Sequence, residues 1–403
     1  MVLPEISRAL AGRSLAVLLC ALLTSTADAG NALQTALDAY WLRHPQAQAL
    51  TANADAARAG QARADGWLAD APTLAISRLD ERDGPARETE LELALPLARQ
   101  RAERQQHADA SAQAVNAQAR WLRLTLAAEL LNVDSERRYR DDALLLSQQR
   151  LNVAQALEQN VRAKVDAGEL ARTDALLAGS ETLAASAALL DAEQRAEEAR
   201  NAWQLRVGDQ PGFPEQLEAD VVPVSGAIDL HPQLQQALAI AHAAAAQARL
   251  DRRYSGDAEL SLLMKREDDP LLDEQVDSAG IRLSVPLFAG SQREQAAARA
   301  DAERLSAEAE AQQLRHRLQQ EQTQARRHYQ RSQQQRAFAE QQQQLNEQSW
   351  QHAQAAFAAG ELPLAELLRQ QQRLFDSHES LSLAKQQQRD ALARLILAEG
   401  VLP

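Results

Sequence analysis

The chain has 403 residues, 43 of them Lys or Arg against 56 Asp or Glu, for a formal net charge of −13. That balance argues against a nucleic-acid or anionic-lipid binder, whose affinity would come from clustered Lys and Arg. A single cysteine, Cys20, and 3% aromatic residues exclude a disulfide-stapled secreted domain and suit tubes of helices better than a globular enzyme. The chain opens on an expected export signal, residues 1–29. Arg8 and Arg13 precede an apolar run from Leu15 to Leu23, and Ala27-Asp28-Ala29 offers the small-x-small pattern of a cleavage site. The run is too short to span a bilayer as a helix. Cys20 belongs to that signal, because Val17-Leu18-Leu19 lacks the small residue that precedes a lipidated cysteine. Beyond it no uninterrupted apolar stretch of about 18 residues occurs, so a membrane crossing would have to be made by strands.

The first repeat, 30–207, begins with a helix expected from Ala32 to Trp67, with Pro45 near its start and Gly60 and Gly66 near its end. Two strands follow, 73–79 and 88–97. Leu74 and Ile76 share a face of the first. In the second, Leu91, Leu93, Leu95 and Leu97 alternate with Glu88, Glu90, Glu92 and Ala94, the period-two pattern of a strand with one apolar face. Their polar turn, Asp80 to Arg87, holds Asp83-Gly84-Pro85. From Arg99 to Ala167 there is no proline or glycine and strong helix formers dominate. At 1.5 Å per residue this is a rod of roughly 100 Å, a length that implies coiled-coil packing. Gly168 breaks it, and a returning helix follows.

A linker, 208–229, carries Pro211, Gly212, Pro214, Pro223 and Gly226. The second repeat, 230–403, restates the plan. Its strands are expected at 259–265, with Leu260, Leu262 and Met264 on one face, and at 279–287, where Ile281, Leu283, Val285 and Leu287 alternate with Arg282 and Ser284. A polar turn from Glu267 to Ser278 joins them, and a long helix runs from Gln292 to Ala359. Three landmarks carry the duplication. His44-Pro45-Gln46 returns as His231-Pro232-Gln233, Leu95-Pro96-Leu97 as Val285-Pro286-Leu287, and Ala167-Gly168-Glu169-Leu170 as Ala359-Gly360-Glu361-Leu362, at offsets of 187, 190 and 192.

Four two-faced strands cannot close a barrel, about eight being the smallest membrane-spanning number. Open edges do not persist in lipid, where every backbone group must be paired. The strands therefore need partners from other chains. The long helices, with Ala and scattered Leu at their apolar positions, supply little core alone, as expected if their seams lie between subunits. A soluble hairpin would give the same alternation, with its glutamates on an outer polar face.

The duplicated unit, the Pro-Leu step from strand into long helix (Pro96-Leu97 and Pro286-Leu287-Phe288) and the two glycine-led turns resemble the TolC family of outer-membrane efflux proteins. The first turn reads Ala167-Gly168-Glu169-Leu170-Ala171-Arg172-Thr173-Asp174, the second Ala359-Gly360-Glu361-Leu362-Pro363-Leu364-Ala365-Glu366. The resemblance covers essentially the whole chain after the signal. It implies a mainly α fold with a small β part, in a homotrimer whose chains each give four strands to a shared barrel of twelve in outer-membrane lipid. A shared helical tunnel would extend into the periplasm, dock a periplasmic adaptor (membrane fusion) protein and so join an inner-membrane pump. The short chain is similar to the branch paired with heavy-metal pumps of the resistance-nodulation-division class.

On this resemblance the docking tip comprises Gly168, Glu169, Leu170, Gly360, Glu361 and Leu362. As plain structure, the glycines are helix C-caps in the left-handed conformation. Asp174 and Glu366 match between repeats and complement their helix dipoles. In a trimer, six such carboxylates would form a cation-favouring entrance ring. Glu88, Glu90, Glu92 and Arg282 would face the barrel lumen, and Leu91, Leu93, Leu95, Ile281, Leu283 and Val285 the lipid. The eight histidines are dispersed without the close spacing of a zinc site. No phosphate loop or nucleophile elbow occurs, so neither a cofactor nor an enzyme is expected. Two other classes stand beside the channel. A periplasmic adaptor would carry one helical hairpin flanked by β-rich halves, and a structural coiled coil would lack amphipathic hairpins.

Overall fold

The computed structural model describes residues 32–80, 87–213, 226–253, 257–269, 274–285 and 290–402. The expected signal with Cys20, the loop residues 81–86 and 270–273, most of the linker, and Pro286-Leu287-Phe288 lie outside the described residues.

In chain order the elements are helix α1 (32–43), α2 (Pro45–Ala64), strands β1 (Thr73–Asp80) and β2 (Arg87–Leu97), then α3 (Arg101–Asp166) and α4 (Arg172–Val207). A 3-10 turn, Ile228–Leu230, leads into α5 (Pro232–Arg253), β3 (Ala258–Asp269), β4 (Glu274–Ser284), α6 (Gly290–Ala358) and α7 (Leu364–Glu399). The helix expected from Ala32 to Trp67 is two helices and stops at Ala64. Proline removes a backbone donor and pushes the residue before it out of the helical region, so His44 stands between α1 and α2. His231 holds the equivalent place before Pro232. Strands β3 and β4 run further than expected, into the segment read as a turn from Glu267 to Ser278. Glu267 pairs with Val276 and Asp268 with Gln275, and Arg266 Nε donates to Asp277 Oδ1 at 2.8 Å. Cross-strand pairing of opposite charges offsets the low strand propensity of this acidic stretch. The β4 strand ends at Ser284, and Val285 follows it outside the ladder.

The chain forms two compact units, each built from pieces of both repeats. The first spans Met1–Ala47, Leu122–His231 and Arg317–Pro403, the second Gln48–Trp121 and Pro232–His316. Among the described residues the first unit is helical. Its buried set includes Leu124, Leu126, Leu130, Val161, Leu318, Leu367 and Ile396. Helix α4 contributes four buried alanines, Ala178, Ala185, Ala196 and Ala199, with Trp203 and Val207. Its leucines behave oppositely: Leu176, Leu183 and Leu190, spaced by one heptad, are 76%, 73% and 67% exposed. An 18-residue window of this helix has mean hydropathy 1.2 and is only 11% buried, long and apolar enough on composition to cross a membrane. The heptad spacing of its leucines is instead that of a coiled-coil seam.

A buried node fastens the end of α7. The Glu399 carboxylate accepts from Arg326 Nη2 at 2.9 Å and from the Gly226 N–H at 3.0 Å. His231 Nε2 lies 3.0 Å from the Leu397 carbonyl oxygen.

The second unit carries the β-sheet, a four-stranded antiparallel meander in the order β1-β2-β3-β4, with α2, α5 and the earlier parts of α3 and α6.

Candidate functional site

The sheet register decides which side chains share a face. Ile76 pairs with Leu91, Leu91 with Met264 and Met264 with Ala279. One row along, Leu74, Leu93, Leu262 and Ile281 line up, and then Leu95, Leu260 and Leu283. Five of the six residues expected to face lipid (Leu91, Leu93, Leu95, Ile281 and Leu283) therefore form one continuous apolar surface. Val285, beyond the last rung, is 38% exposed. The opposite face holds Glu88, Glu90, Glu92, Lys265 and Arg282. Lys265 Nζ donates to Glu88 Oε1 at 2.8 Å, and Arg282 Nη1 donates to Glu92 Oε1 at 3.1 Å across the intervening strand. The four residues expected in a lumen are thus on one side of the sheet, opposite Leu91, Leu93 and Leu95, and share that side with Leu79 and Leu263.

The apolar face of this sheet is not covered by the chain's own core. Ile76, Met264, Ile281 and Leu283 are 70%, 61%, 74% and 62% exposed, whereas Ser261 on the polar face is 1% exposed. Burying one such side chain contributes roughly 1.5–3 kcal/mol. Leaving half a dozen in water would cost on the order of 10 kcal/mol, comparable with the whole stability of a domain. That surface requires a cover. Among the described residues β1 and β4 are paired on one side only, so the sheet also has two open edges.

The two helical turns of the first unit are alike atom by atom. The Gly168 N–H donates to the Val165 carbonyl at 3.0 Å and the Glu169 N–H to Lys164 at 2.9 Å. In the second turn, the Gly360 N–H donates to Phe357 at 3.1 Å and the Glu361 N–H to Ala356 at 2.9 Å. This is the Schellman pattern, which needs a left-handed residue after the helix; Gly168 has φ +81 and Gly360 φ +78. Leu170 and Leu362 are partly buried against a cluster of Val161, Trp350, Phe357, Leu364, Leu367 and Leu374. Of the six tip residues, Gly168, Glu169, Gly360 and Glu361 are exposed, and the two leucines spend their apolar surface on the bundle itself.

Asp174 and Glu366 are both engaged locally. Asp174 Oδ2 accepts from the Ala171 N–H at 3.2 Å, closing a cap on α4. Glu366 pairs with Arg369 and accepts from Gln370 Nε2 at 3.0 Å. Residues not singled out from sequence are the α4 leucines, whose heptad spacing was a readable signal, and Glu399, whose partners lie too far along the chain to be inferred.

Among the described residues no group of His, Cys, Asp and Glu is placed to hold a metal ion. An all-antiparallel meander with one apolar face, interleaved with long helices in two repeats, is the fold of TolC-family outer-membrane channels. Three solved structures are similar over nearly their whole length. CusC, described in terms of folding and transmembrane channel formation, has a TM-score of 0.75 and 16% identity, covering 92% of each chain. A membrane protein from Pseudomonas aeruginosa gives 0.75 and 19%, covering 92% of this chain and 90% of that one. The outer membrane protein VceC from Vibrio cholerae gives 0.73 and 18%, covering 91% and 96%. The chain matches no protein-family model and no curated protein.

Proposed function

We propose that this chain is the outer-membrane channel subunit of a tripartite efflux system. It assembles as a homotrimer whose shared twelve-stranded barrel sits in outer-membrane lipid, and it is a passive duct, not an enzyme. The observation that carries this reading is the sheet with one exposed apolar face, one charged face and two open edges. Lipid covers such a face, and neighbouring strands from other copies close such edges. The exposed leucine heptads of α4 support helix seams between copies. An adaptor alone or a structural coiled coil gives no reason for an apolar sheet face. The glycine turns are the adaptor-docking tip, with an inner-membrane pump supplying the energy. Asp174 and Glu366 from three chains form the entrance ring.

Heavy-metal cations are the cargo we assign within that role. Glu88, Glu90, Glu92, Glu259 and Glu267 share the polar sheet face with Lys265 and Arg282, a balance that favours cations. Membrane fractionation tests the duct: the chain is expected in the outer membrane as a heat-modifiable oligomer of three copies. Recovery as a soluble periplasmic protein overturns the assignment. A deletion strain sensitised to drugs but not to metals would overturn the cargo and leave the duct standing.

A further inference from the structure

Within the first unit a cavity of about 460 Å³ opens between α3, α6 and the start of α7. Its floor is aromatic. Trp350 and Phe357, one heptad apart on α6, belong to the buried cluster behind the helical turns and are each 7% exposed. Leu157 of α3 and Leu367 of α7 flank the rings, and the small side chains of Ala156 and Ala358 leave the space unfilled. The hollow is an open groove whose volume is that of a small-molecule site.

The rim is polar and carries one sign of charge. Lys164 lines the cavity with its Nζ 4.9 Å from the centroid of the Phe357 ring. Among the described residues no carboxylate lies within ion-pair distance of it, although the exposed carboxylates Asp166 and Glu169 are close by in sequence. Asn160 and Gln354 place two amides beside it. Lys164 is also in the last turn of α3, where a cation complements the helix dipole. That role needs only charge near the carbonyls and leaves the hollow over the rings unexplained.

We propose that this cavity binds a small planar aromatic anion, an arylalkanoate or aryl sulfonate. The ring would lie against Leu157 and the exposed edge of Trp350, and the acid group would reach Lys164 Nζ and the Asn160 amide. Nothing in the site excludes water from the rim, so the charged contact sets preference, while Val153, Leu157, Leu367 and the ring edges supply the apolar contact. The site stands on the first unit alone and is independent of the channel reading.

Titration calorimetry of the full chain in its native oligomeric state, with indole-3-acetate as the probe, tests it. One saturable site per chain is expected. Lys164→Met and, separately, the neutral probe indole-3-acetamide should each weaken binding about tenfold. Leu157→Trp should fill the cavity and abolish binding without lowering the thermal midpoint. Absence of saturable binding, or binding that survives both removal of the Lys164 charge and neutralisation of the probe, overturns the proposal. So does a Leu157→Trp protein that fails to assemble while the parent binds no probe, since the occupant would then be a neighbouring copy.

Discussion

Around the helical turns leucines point inward, and on the sheet they point outward. Leu364, Leu367 and Leu374 are 3%, 2% and 6% exposed in the cluster behind Gly168 and Gly360. Leu74, Ile76 and Ile281 stand 61%, 70% and 74% exposed on the two outer strands of the sheet. The same residue types answer to two surroundings, the chain's own core and a cover that the single chain does not provide. The helical region also satisfies its chain ends internally, with a Schellman turn at each reversal and a carboxylate cap at the first. The sheet leaves two edges open. The turns are closed by their own chain, whereas the sheet, like the exposed leucine row of α4, is part of a larger object.

The largest effect should come from placing a charge on each face in turn. Ile281→Arg puts a guanidinium on the outward apolar row and should cost about 2–4 kcal/mol if that row faces the bilayer middle. Glu90→Lys, on the other face of the same sheet, should stay within ~0.5 kcal/mol. The yield of heat-modifiable oligomer in the outer membrane and its urea midpoint read the difference. Equal losses would mean that the two faces meet the same solvent.

Next in size is the node at Glu399, in the region that completes itself. Burial opposes ionisation of this carboxyl. Hydrogen bonds from Arg326, Gly226 and Gln322 and the Arg326 charge outweigh burial and hold its pKa below the usual carboxylate range. Its contribution is therefore full above the unfolded value of roughly 4.3 and is lost as pH falls through the lower folded value. His231 is held below the ordinary histidine value, chiefly by burial and despite the Leu397 carbonyl and nearby Glu321 and Glu399. It favours the fold fully above about 6.5 and loses that contribution as the ring is forced to charge on acidification. Glu399→Gln should cost about 1–3 kcal/mol at neutral pH, because Arg326 loses its charged partner. His231→Gln should flatten the fall of the denaturation midpoint just below pH 6.5. A profile as steep as the parent's would remove His231 from the account.

How much of this was legible in the sequence follows from range. The long helices, the strand alternation and the left-handed glycines are local properties of composition, period and φ, and they are readable within a few residues. Alternation on each strand made the faces of Leu74, Leu93, Leu262 and Ile281 legible, because period two leaves only two to choose between. The register that sets them in one row, across β2 and β3, is seen only in the structure. The extension of β3 and β4 through Glu267 and Asp268 was not legible: acidic residues near a proline read as turn until the cross-strand Arg266–Asp277 pair is seen. The Glu399 node joins residues 73 and 173 positions apart, beyond any periodicity. The inward packing of Leu170 and Leu362 also depends on four helices meeting.

A smaller effect separates conformation from packing among the glycines. A Cβ at Gly168 or Gly360 meets nothing within 4 Å, so Gly168→Ala should cost only the strain of a left-handed alanine, about 1–2 kcal/mol. Gly60 inside α2 is equally open but helical, so Gly60→Ala should stabilise by roughly 0.5–1 kcal/mol. Opposite signs in thermal unfolding are the expected outcome. A loss at Gly60 matching that at Gly168 would show that both positions are governed by contacts with another chain.

The smallest change in stability, and the sharpest reading of charge, belongs to the carboxylates beside the turns. Asp174→Asn keeps an oxygen that can accept from the Ala171 N–H, and Glu366→Gln keeps one for Gln370, so the double variant should fold within ~0.5 kcal/mol of the parent. What it removes is charge alone, six units in a trimer of the proposed kind. If those carboxylates form an entrance ring, the reversal potential across a planar bilayer under a salt gradient should move toward reduced cation preference. Because each carboxylate is already engaged by its own helix, part of its charge is compensated, most of all at Glu366 beside Arg369, and Asp174→Asn alone should account for most of the shift. A reversal potential that does not move, in a variant that still assembles and conducts, would leave Asp174 as a helix cap and Glu366 as a partner of Arg369 and Gln370, and nothing more.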